Sequence, residues 1–521
     1  MSTPPSPAPS ETAAAQRRPV GRATAILLGL AALTILVALA RNGRYGYFID
    51  ELYYVACSEH LAWGYVDQPP LSVVLLALSR AIFGDATWAL RLLPALATAT
   101  AVILTGLMAR RLGGGTFAQA LAALAAVVSP MYLIFASAYS MNHFDLLFWT
   151  LGAYVILGIL KNDDPKGWLL FGLIAGLGLQ NKLSMAFFGF GLCVALVLTR
   201  NRKYIVSKVD GKFRPGLYLW GGGALAVLIF CPFLIWQALN DWPTIEWVGK
   251  SNAAYGNSPL VVLLSQLAVG HPFPIALVGL YFYLFSRRGR PYRMMGIIYV
   301  SILILFVMQN AKSYYLAVAY PMLFAGGAVL IESFAEHGYR RALKPVIVTA
   351  LVVITGLRLP FILPVLPPKQ LLAYQESLGL PSRGQVPLGL ADRLGAEELA
   401  TEVARVYETL PEEDRKESVI LAGTYLEAAA IDFFGKKYGL PPATSYHNNY
   451  YLWGPGDTSW GVVIAVWVGK DRLEDMFGEV VEAGRMSCEY CRPRHQDLPI
   501  YVCRKPKRPI AEVWAEWKHF I

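Results

Sequence analysis

"FIDELYYVACSEHLAWGYVDQPPL", residues 48–71, places two adjacent acids, several aromatics and a Pro-Pro bend directly after one of the most apolar stretches of the chain. The composition says what that juxtaposition is. Of 521 residues, 55% are hydrophobic and only 16% are charged, whereas a soluble protein carries about a quarter charged residues. The apolar excess is collected in nearly uncharged blocks of about 15 to 25 residues, the helix length that crosses about 30 Å of hydrocarbon. The chain is therefore a polytopic membrane protein, and Asp50 and Glu51 stand where its first hydrophobic helix ends.

Eleven blocks read as spans: 22–40, 88–109, 116–134, 144–160, 167–180, 183–199, 217–238, 259–285, 294–309, 315–333 and 345–364. Basic residues in the connecting loops set the orientation. One set of loops, with Arg17, Arg18, Arg110, Arg111, "RNRKYIVSKVDGKFR" and "SRRGRPYR" among its members, holds about twenty, against about six in the other. The N-terminus is then cytoplasmic, and an odd number of spans puts the C-terminal part outside, as in a multi-pass plasma (inner) membrane protein. The net charge of +10 follows from cytoplasmic loops facing anionic lipid, which removes the main support for a nucleic-acid partner. Residues 1–21 form the cytoplasmic N-terminus, expected to be disordered because "MSTPPSPAPSETAAAQ" is rich in Pro, Ser and Ala. "ALA" at 38–40 would fit a signal cleavage site, but the preceding run is long enough to span and the odd topology needs it, so an uncleaved anchor is expected.

Residues 22–365 thus make a helical membrane domain with a first external loop at 41–87, and residues 366–521 change character. There a charged, amphipathic helical stretch precedes "VILAGTYLEAAAIDFFGKKYG" and "GVVIAVWV", which read as strand, helix and strand. The fold class expected is an all-α polytopic membrane protein with an extracytoplasmic α/β domain large enough to bury its own core. Cys488, Cys491 and Cys503, with His495 between them, could hold zinc as Cys3His or form a disulfide that leaves one thiol over. Cys193 and Cys231 fall within spans, where a thiol behaves as a small hydrophobe.

On this topology, polar residues collect on the external side. The first loop brings Asp50, Glu51, Tyr53, Glu59, His60, Asp67 and Gln68. The turn before the fourth span brings His143 and Asp145, "LQNKLSM" brings Lys182, and "QNAKSYY" brings Lys312, Tyr314 and Tyr315. Each has a bland explanation. Asp50 could cap the N-terminus of an interfacial helix, the tyrosines could belong to the aromatic belt, Lys182 and Lys312 could snorkel to headgroups, and His143 and His60 could be packed. A cap, however, accounts for one acid and leaves Glu51 and Asp145 over.

Taken together, these groups suit sugar transfer from a lipid phosphate. That reaction needs a carboxylate aimed at the acceptor hydroxyl and positive charge where the leaving phosphate gains negative charge. Burial beside a second acid would raise the carboxylate's pKa and make it a better base. There is no Walker-type glycine loop, no His-Glu-x-x-His and no Gly-x-Ser-x-Gly. A secondary transporter is the alternative. It would place ionisable groups near mid-membrane on broken helices, and "GHPFP" at 270–274 is the feature in its favour.

"DELYY" after the first span, the aromatic-Gly-Tyr segment, "QPPL", the second acid in "MNHFDLLFW", "GLGLQNKLSM" and "KSYYLAVAYPMLFAGGAV" resemble the C-type polyprenyl-phosphate-dependent glycosyltransferases of family 39. Its relatives include protein O-mannosyltransferases and the lipid A aminoarabinose transferases. The resemblance implies a polyprenyl-phosphate sugar as donor and a lipid, glycan or protein as acceptor. It gives Asp50 the role of essential first-loop carboxylate, with Glu51 and Asp145 as the other catalytic acids. Lys182, Lys312, Tyr314, Tyr315, Gln68, His143 and Tyr53 become donor-phosphate or substrate contacts. Aminoarabinose transferases typically carry lysine before Pro-Pro where this chain has Gln68, which moves phosphate binding to other residues. No cofactor is firmly implied; a divalent metal between the carboxylates stays open, since members of this fold need not use one. "SYHNNYYLWGPG" at 445–456 reads either as a sugar or acceptor contact or as a packed loop.

Overall fold

The structure is a computed structural model that describes residues 20–40, 45–209, 212–269, 272–336, 338–381, 384–456 and 460–521. The disordered segment expected at 1–16 lies outside the described residues. Every block read as a span is helical, but the spans differ in kind. Among the described residues, seven helices are long and apolar enough to cross a membrane alone. The block at 116–134 is a pair, Thr116–Val127 and Pro130–Ala136, bent by 66°. Pro130 explains the break, because proline cannot donate the hydrogen bond that would continue the first helix. The block at 259–285 is two helices, Pro259–Val269 and Phe273–Phe285, and Leu71–Phe83 is a short apolar helix that the sequence reading placed in the first loop.

The shorter helices pack through glycine. Gly167–Asn181 lies so close to Leu217–Leu239 that a Cβ at Gly172 would stand 2.2 Å from the Gly222 carbonyl oxygen. Phe273–Phe285 meets Tyr320–Phe334 in the same way, with a Cβ at Gly279 falling 1.9 Å from the Leu323 carbonyl oxygen. Without a hydrophobic drive between helices in lipid, such backbone contact supplies packing that larger residues would prevent.

A two-stranded hairpin, β1 (Val206–Val209) and β2 (Lys212–Pro215), connects two membrane helices. The C-terminal part is built on a five-stranded sheet in the order β4-β3-β5-β7-β6, from β3 (Ser418–Ala422), β4 (Ala443–Ser445), β5 (Val462–Val466), β6 (Phe477–Ser487) and β7 (Asp497–Pro506). β3 runs parallel to β4 and β5, while β7 pairs antiparallel with β5 and β6. The continuous apolar runs of β3 and β5 follow from burial on both faces. Ile420 and Ile464 enter one buried cluster, and Val419 and Val463 enter another. The first cluster also contains Leu52, Tyr53 and Val55 of the helix Ile49–Glu59. The first loop and the α/β part therefore share one core, which fixes the sheet over the end of the membrane helices.

Candidate active site

The helix Ile49–Glu59 starts because Glu51 reaches back to its own entrance: the Phe48 N–H donates to Glu51 Oε2 at 2.7 Å. The cap considered for Asp50 thus falls on its neighbour. Glu51 is fully buried, accepts from Arg91 Nε at 2.9 Å and Nη2 at 2.7 Å, and accepts from the Tyr139 N–H at 2.8 Å. Burial pushes its carboxyl up, but the charge and hydrogen bonds of Arg91 outweigh that and hold it below the usual range. Its lone pairs are spent on joining the first loop to the helix Thr87–Arg111, and it does not line the cavity described next.

One residue earlier in the helix, about 100° round its axis, Asp50 opens onto a cavity of about 490 Å³. Lys312, Asp392, Tyr425 and Arg492 share that cavity. The Tyr425 hydroxyl donates toward Asp50 Oδ1 at 3.4 Å. Burial first, and Asp392 second, push the Asp50 carboxyl up to about 6, against the pull of Arg492, Tyr425 and Lys312. Lys312 is held below its ordinary value by burial, with Asp50 acting the other way and Lys182 adding to it. Its ammonium lies over the rings of Tyr255, at 5.2 Å, and Trp247, at 5.9 Å. Arg492 grips Asp392 with two hydrogen bonds, one of them Nη2 to Oδ2 at 2.6 Å. The Asp392 carbonyl in turn accepts from the Ile49 N–H at 2.9 Å, next to Asp50.

A second charged group lies at the same end of the helices. Asp145 is buried, accepts from the Ser184 hydroxyl, and faces Lys182 Nζ at 3.3 Å. Lys182 also donates to Asn142 Oδ1 at 2.7 Å and sits 4.9 Å over the Tyr315 ring. Tyr314 packs edge-on against Tyr315 at 4.9 Å and is within electrostatic reach of both Asp50 and Asp145. Snorkelling is thus replaced, for Lys182, by a buried ion pair. Tyr53 supports the floor: its hydroxyl donates to Asp67 Oδ1 at 3.0 Å and its ring lies 4.2 Å from that of Tyr425. Burial pushes Asp67 up to about 7, opposed by the Tyr53 hydrogen bond and helped by Asp50.

The structure therefore places Asp50 and Lys312 on the cavity and Asp145, Lys182, Tyr314 and Tyr315 in a second group, within electrostatic reach of the first through Tyr314, and leaves Gln68 and His143 aside. Gln68 is buried beside the Cys57 thiol. His143 is packed between Tyr139, at 5.0 Å, and Phe144, at 4.2 Å. The stretch at 445–456 is divided: Asn449 Oδ1 accepts from the Val66 N–H at 2.8 Å and Trp453 stacks on His60 at 4.3 Å, both packing contacts, while His447 lines the cavity. Cys488 and Cys491 form a disulfide, Cys503 is buried in β7, and His495 pairs with Glu427 at 2.9 Å, so the Cys3His zinc arrangement is not formed. Among the described residues, no group of three or more His, Cys, Asp or Glu could hold a metal ion. Sequence reasoning missed Arg91, Asp392, Tyr425, Arg492 and Arg494; all but Arg91 come from the C-terminal part, where the "RPR" at 492–494 after two cysteines was the one visible signal.

Residues 67–236 match the family described as dolichyl-phosphate-mannose-protein mannosyltransferase. The whole chain is similar to ArnT from Cupriavidus metallidurans bound to undecaprenyl phosphate, with TM-score 0.60 and 15% identity over 92% of this chain and 97% of that one. The apo state of ArnT gives TM-score 0.56 at 15% identity over 92% and 98%. The S. cerevisiae protein O-mannosyltransferase Pmt1-Pmt2 complex bound to the sugar donor overlaps at 15% identity with 48% of this chain and 38% of that one; its TM-score, 0.33, is too low to compare architectures. No curated protein matches the chain by sequence. The ArnT likeness establishes the fold, helical membrane part and α/β C-terminal part together. A secondary transporter is not favoured: the ionisable groups of the site gather where helices begin and end, and residues 270–271 of "GHPFP" lie outside the described residues.

Proposed function

We propose that this chain is a membrane glycosyltransferase of the polyprenyl-phosphate-dependent family 39, and that it moves a sugar from a lipid phosphate to a hydroxyl acceptor in the cavity between its membrane helices and its α/β part. The observation that carries the reading is Asp50 and Lys312 facing one cavity, the carboxyl raised to about 6 and the ammonium held on two aromatic faces. A carboxylate near that value is mostly ionised at pH 7 yet a stronger base than an ordinary aspartate.

In this reading the prenyl chain lies along the apolar groove of about 420 Å³ lined by Leu61, Trp63, Leu71, Val74, Leu177 and Ile229. Its phosphate reaches Lys312, with Lys182 behind the wall of Tyr314 and Tyr315. Asp50 orients the acceptor hydroxyl and takes its proton. The acceptor oxygen bonds to the anomeric carbon as the bond to the phosphate oxygen breaks, with inversion, and the electron pair leaves on the phosphate opposite Lys312. Holding both reactants in line supplies much of the rate. Asp145 holds Lys182 in place. The cavity opens on the extracytoplasmic side of the plasma (inner) membrane, the N-terminus is cytoplasmic, and the acceptor is a lipid, glycan or protein.

Asp50→Asn in the full-length protein should abolish transfer from a polyprenyl-phosphate sugar while thermal unfolding stays intact. Normal turnover by a folded Asp50→Asn enzyme would remove Asp50 from this role. Comparing envelope lipids and glycoproteins by mass spectrometry with and without the protein identifies the product.

A further inference from the structure

The connection between β6 and β7 carries the Cys488–Cys491 disulfide, and the residue after it, Arg492, lines the cavity of Asp50. The two cysteines stand three residues apart. A bridge over so short a loop removes little freedom from the unfolded chain, since that stabilisation grows with loop length. Its effect is therefore local.

The bridge bears on both partners of one ion pair. Arg492 follows Cys491 directly and grips Asp392, with Nη2 donating to Oδ2 at 2.6 Å. On the other side the sulfurs press on Gly395, three residues after Asp392: a Cβ at 395 would lie 2.5 Å from Cys491 Sγ and 3.5 Å from Cys488 Sγ. Gly395 has φ 92°, where glycine alone is at ease, so the chain can turn beneath the bridge. Asp392 also has moorings of its own. Its carbonyl accepts from the Ile49 N–H at 2.9 Å, and the next residue, Arg393, donates to the Ser137 carbonyl at 3.1 Å and to Ser137 Oγ at 3.0 Å. None of these bonds involves the bridge. The strands stay joined without it as well, because the Cys488 N–H donates to the Gln496 carbonyl at 3.1 Å and Gln496 Nε2 to the Cys491 carbonyl at 3.1 Å.

We infer that Arg492 is a positioning residue for Asp50 and that the Cys488–Cys491 bridge sets it: closed, the bridge keeps the guanidinium on Asp392 beside Asp50, and opened by a dithiol, it lets the guanidinium leave while Asp392 stays. The inference rests on the transfer reading for Asp50 and gives that site a redox control. One thiolate of the dithiol attacks the sulfur of Cys488, the less buried of the pair. The S–S bond breaks, and Cys491 leaves as a thiolate and takes up a proton. The second thiol of the reagent then displaces Cys488 and closes a disulfide within the reagent, so two electrons and two protons pass to the protein. On the extracytoplasmic side proposed above, such a bridge stays closed until a dithiol reaches it.

The consequence falls on Asp50. It faces Asp392, Arg492 and Tyr425 from the α/β part, Lys312 and Tyr314 from the membrane part, and Asp67 from its own loop. His447, His519, Arg494 and Ile521 complete the charged and titratable lining. Asp392 raises the Asp50 carboxyl and Arg492 lowers it. With Arg492 displaced, the repulsion from Asp392 stands unopposed, and Asp50 holds its proton to higher pH.

The test uses the purified full-length protein in lipid nanodiscs, oxidised or treated with dithiothreitol that is then removed under argon. Dicyclohexylcarbodiimide modifies a carboxyl only while it is protonated, and modification of Asp50 is read by peptide mass spectrometry across pH, with the two forms side by side. The pH of half-modification should rise by about one pH unit on reduction, the effect of losing an opposite charge at close range. Arg492→Ala and Cys488→Ser/Cys491→Ser should show the raised value without reductant and should not respond to it. A bridge that served stability alone would lower the unfolding temperature on reduction and leave the half-modification pH in place. That result, with thiol labelling proving the bridge open, would overturn the inference. So would an equal response to reduction in Arg492→Ala and wild type, or a bridge that dithiothreitol cannot open in the folded protein. Should the double serine variant not fold, the oxidised and reduced wild type decide by themselves. None of these outcomes touches the transfer reading, which falls instead with normal turnover by a folded Asp50→Asn enzyme.

Discussion

Glu51 and Arg91 close a fully buried, two-point ion pair, with Nε–Oε1 at 2.9 Å and Nη2–Oε2 at 2.7 Å, one residue away from an aspartate that opens into a cavity. Adjacent acids that look alike in sequence have opposite physical tasks. Glu51 spends its charge on the fold, and Asp50 keeps its charge for the cavity.

The two are separable by measuring stability. Glu51→Gln leaves Arg91 buried without its counter-charge, and breaking a buried pair on one side costs about 3–5 kcal/mol. Thermal unfolding in detergent should show a large loss for Glu51→Gln and none for Asp50→Asn at neutral pH. Equal stability of the two variants would show that Glu51 is not the structural acid of the pair.

Asp50 also fixes a pH dependence. A base must be ionised to work, so turnover should rise with pH through about 6 and level off above it. The effect on folding has the opposite sign. The folded-state pKa values of Asp50, about 6, and Asp67, about 7, lie above the ordinary value, so the folded state holds protons that the unfolded chain releases. Their contribution to stability is fully present below about pH 4 and is lost as pH rises toward 7. Asp67→Asn should therefore raise the unfolding temperature at pH 8 relative to wild type and change it little at pH 4. A variant equally displaced at both pH values would refute the raised carboxyl.

The membrane helices were legible in the sequence because lipid demands long uncharged blocks with internally satisfied backbones. Strand β3 and the helix Tyr425–Phe434 were legible because an apolar run followed by an amphipathic one has few other readings. The break at Pro130 was not separated from a continuous span, since hydropathy averages over such interruptions, whereas the prolines of "GHPFP" did mark an interruption in the block at 259–285. In the site, Asp50, Asp145, Lys182 and Lys312 stood out as charges beside apolar blocks, where charge is expensive. Arg492, Arg494 and Asp392 did not, because in a polar segment a charge is the ordinary case, and only the fold carries them to Asp50. His143 and Gln68 misled for the converse reason: polar type was visible and burial was not.

Lys312 and Lys182 should separate by kinetic parameter. Lys312 shares the cavity with Asp50 and is held by ring faces. Lys312→Ala should raise the KM for the lipid-phosphate donor by about tenfold or more, the loss of one charge-assisted contact, with the fold unchanged. An unaltered donor KM would move the phosphate elsewhere.

Lys182 is tied to Asp145 and Asn142, so its removal acts first through Asp145. Lys182→Met strands a buried carboxylate, whereas the double variant Lys182→Met/Asp145→Asn removes both charges and leaves groups that can still hydrogen-bond to Ser184. The single variant should unfold at a clearly lower temperature than wild type, and the double variant should recover most of the difference, a coupling of about 1–3 kcal/mol between neighbours. Transfer should stay impaired in both, because the second positive charge behind Tyr314 and Tyr315 is gone in each. Recovered turnover in the double variant would make the pair a purely structural strut, and additive losses of stability would mean that Lys182 and Asp145 do not act on one another.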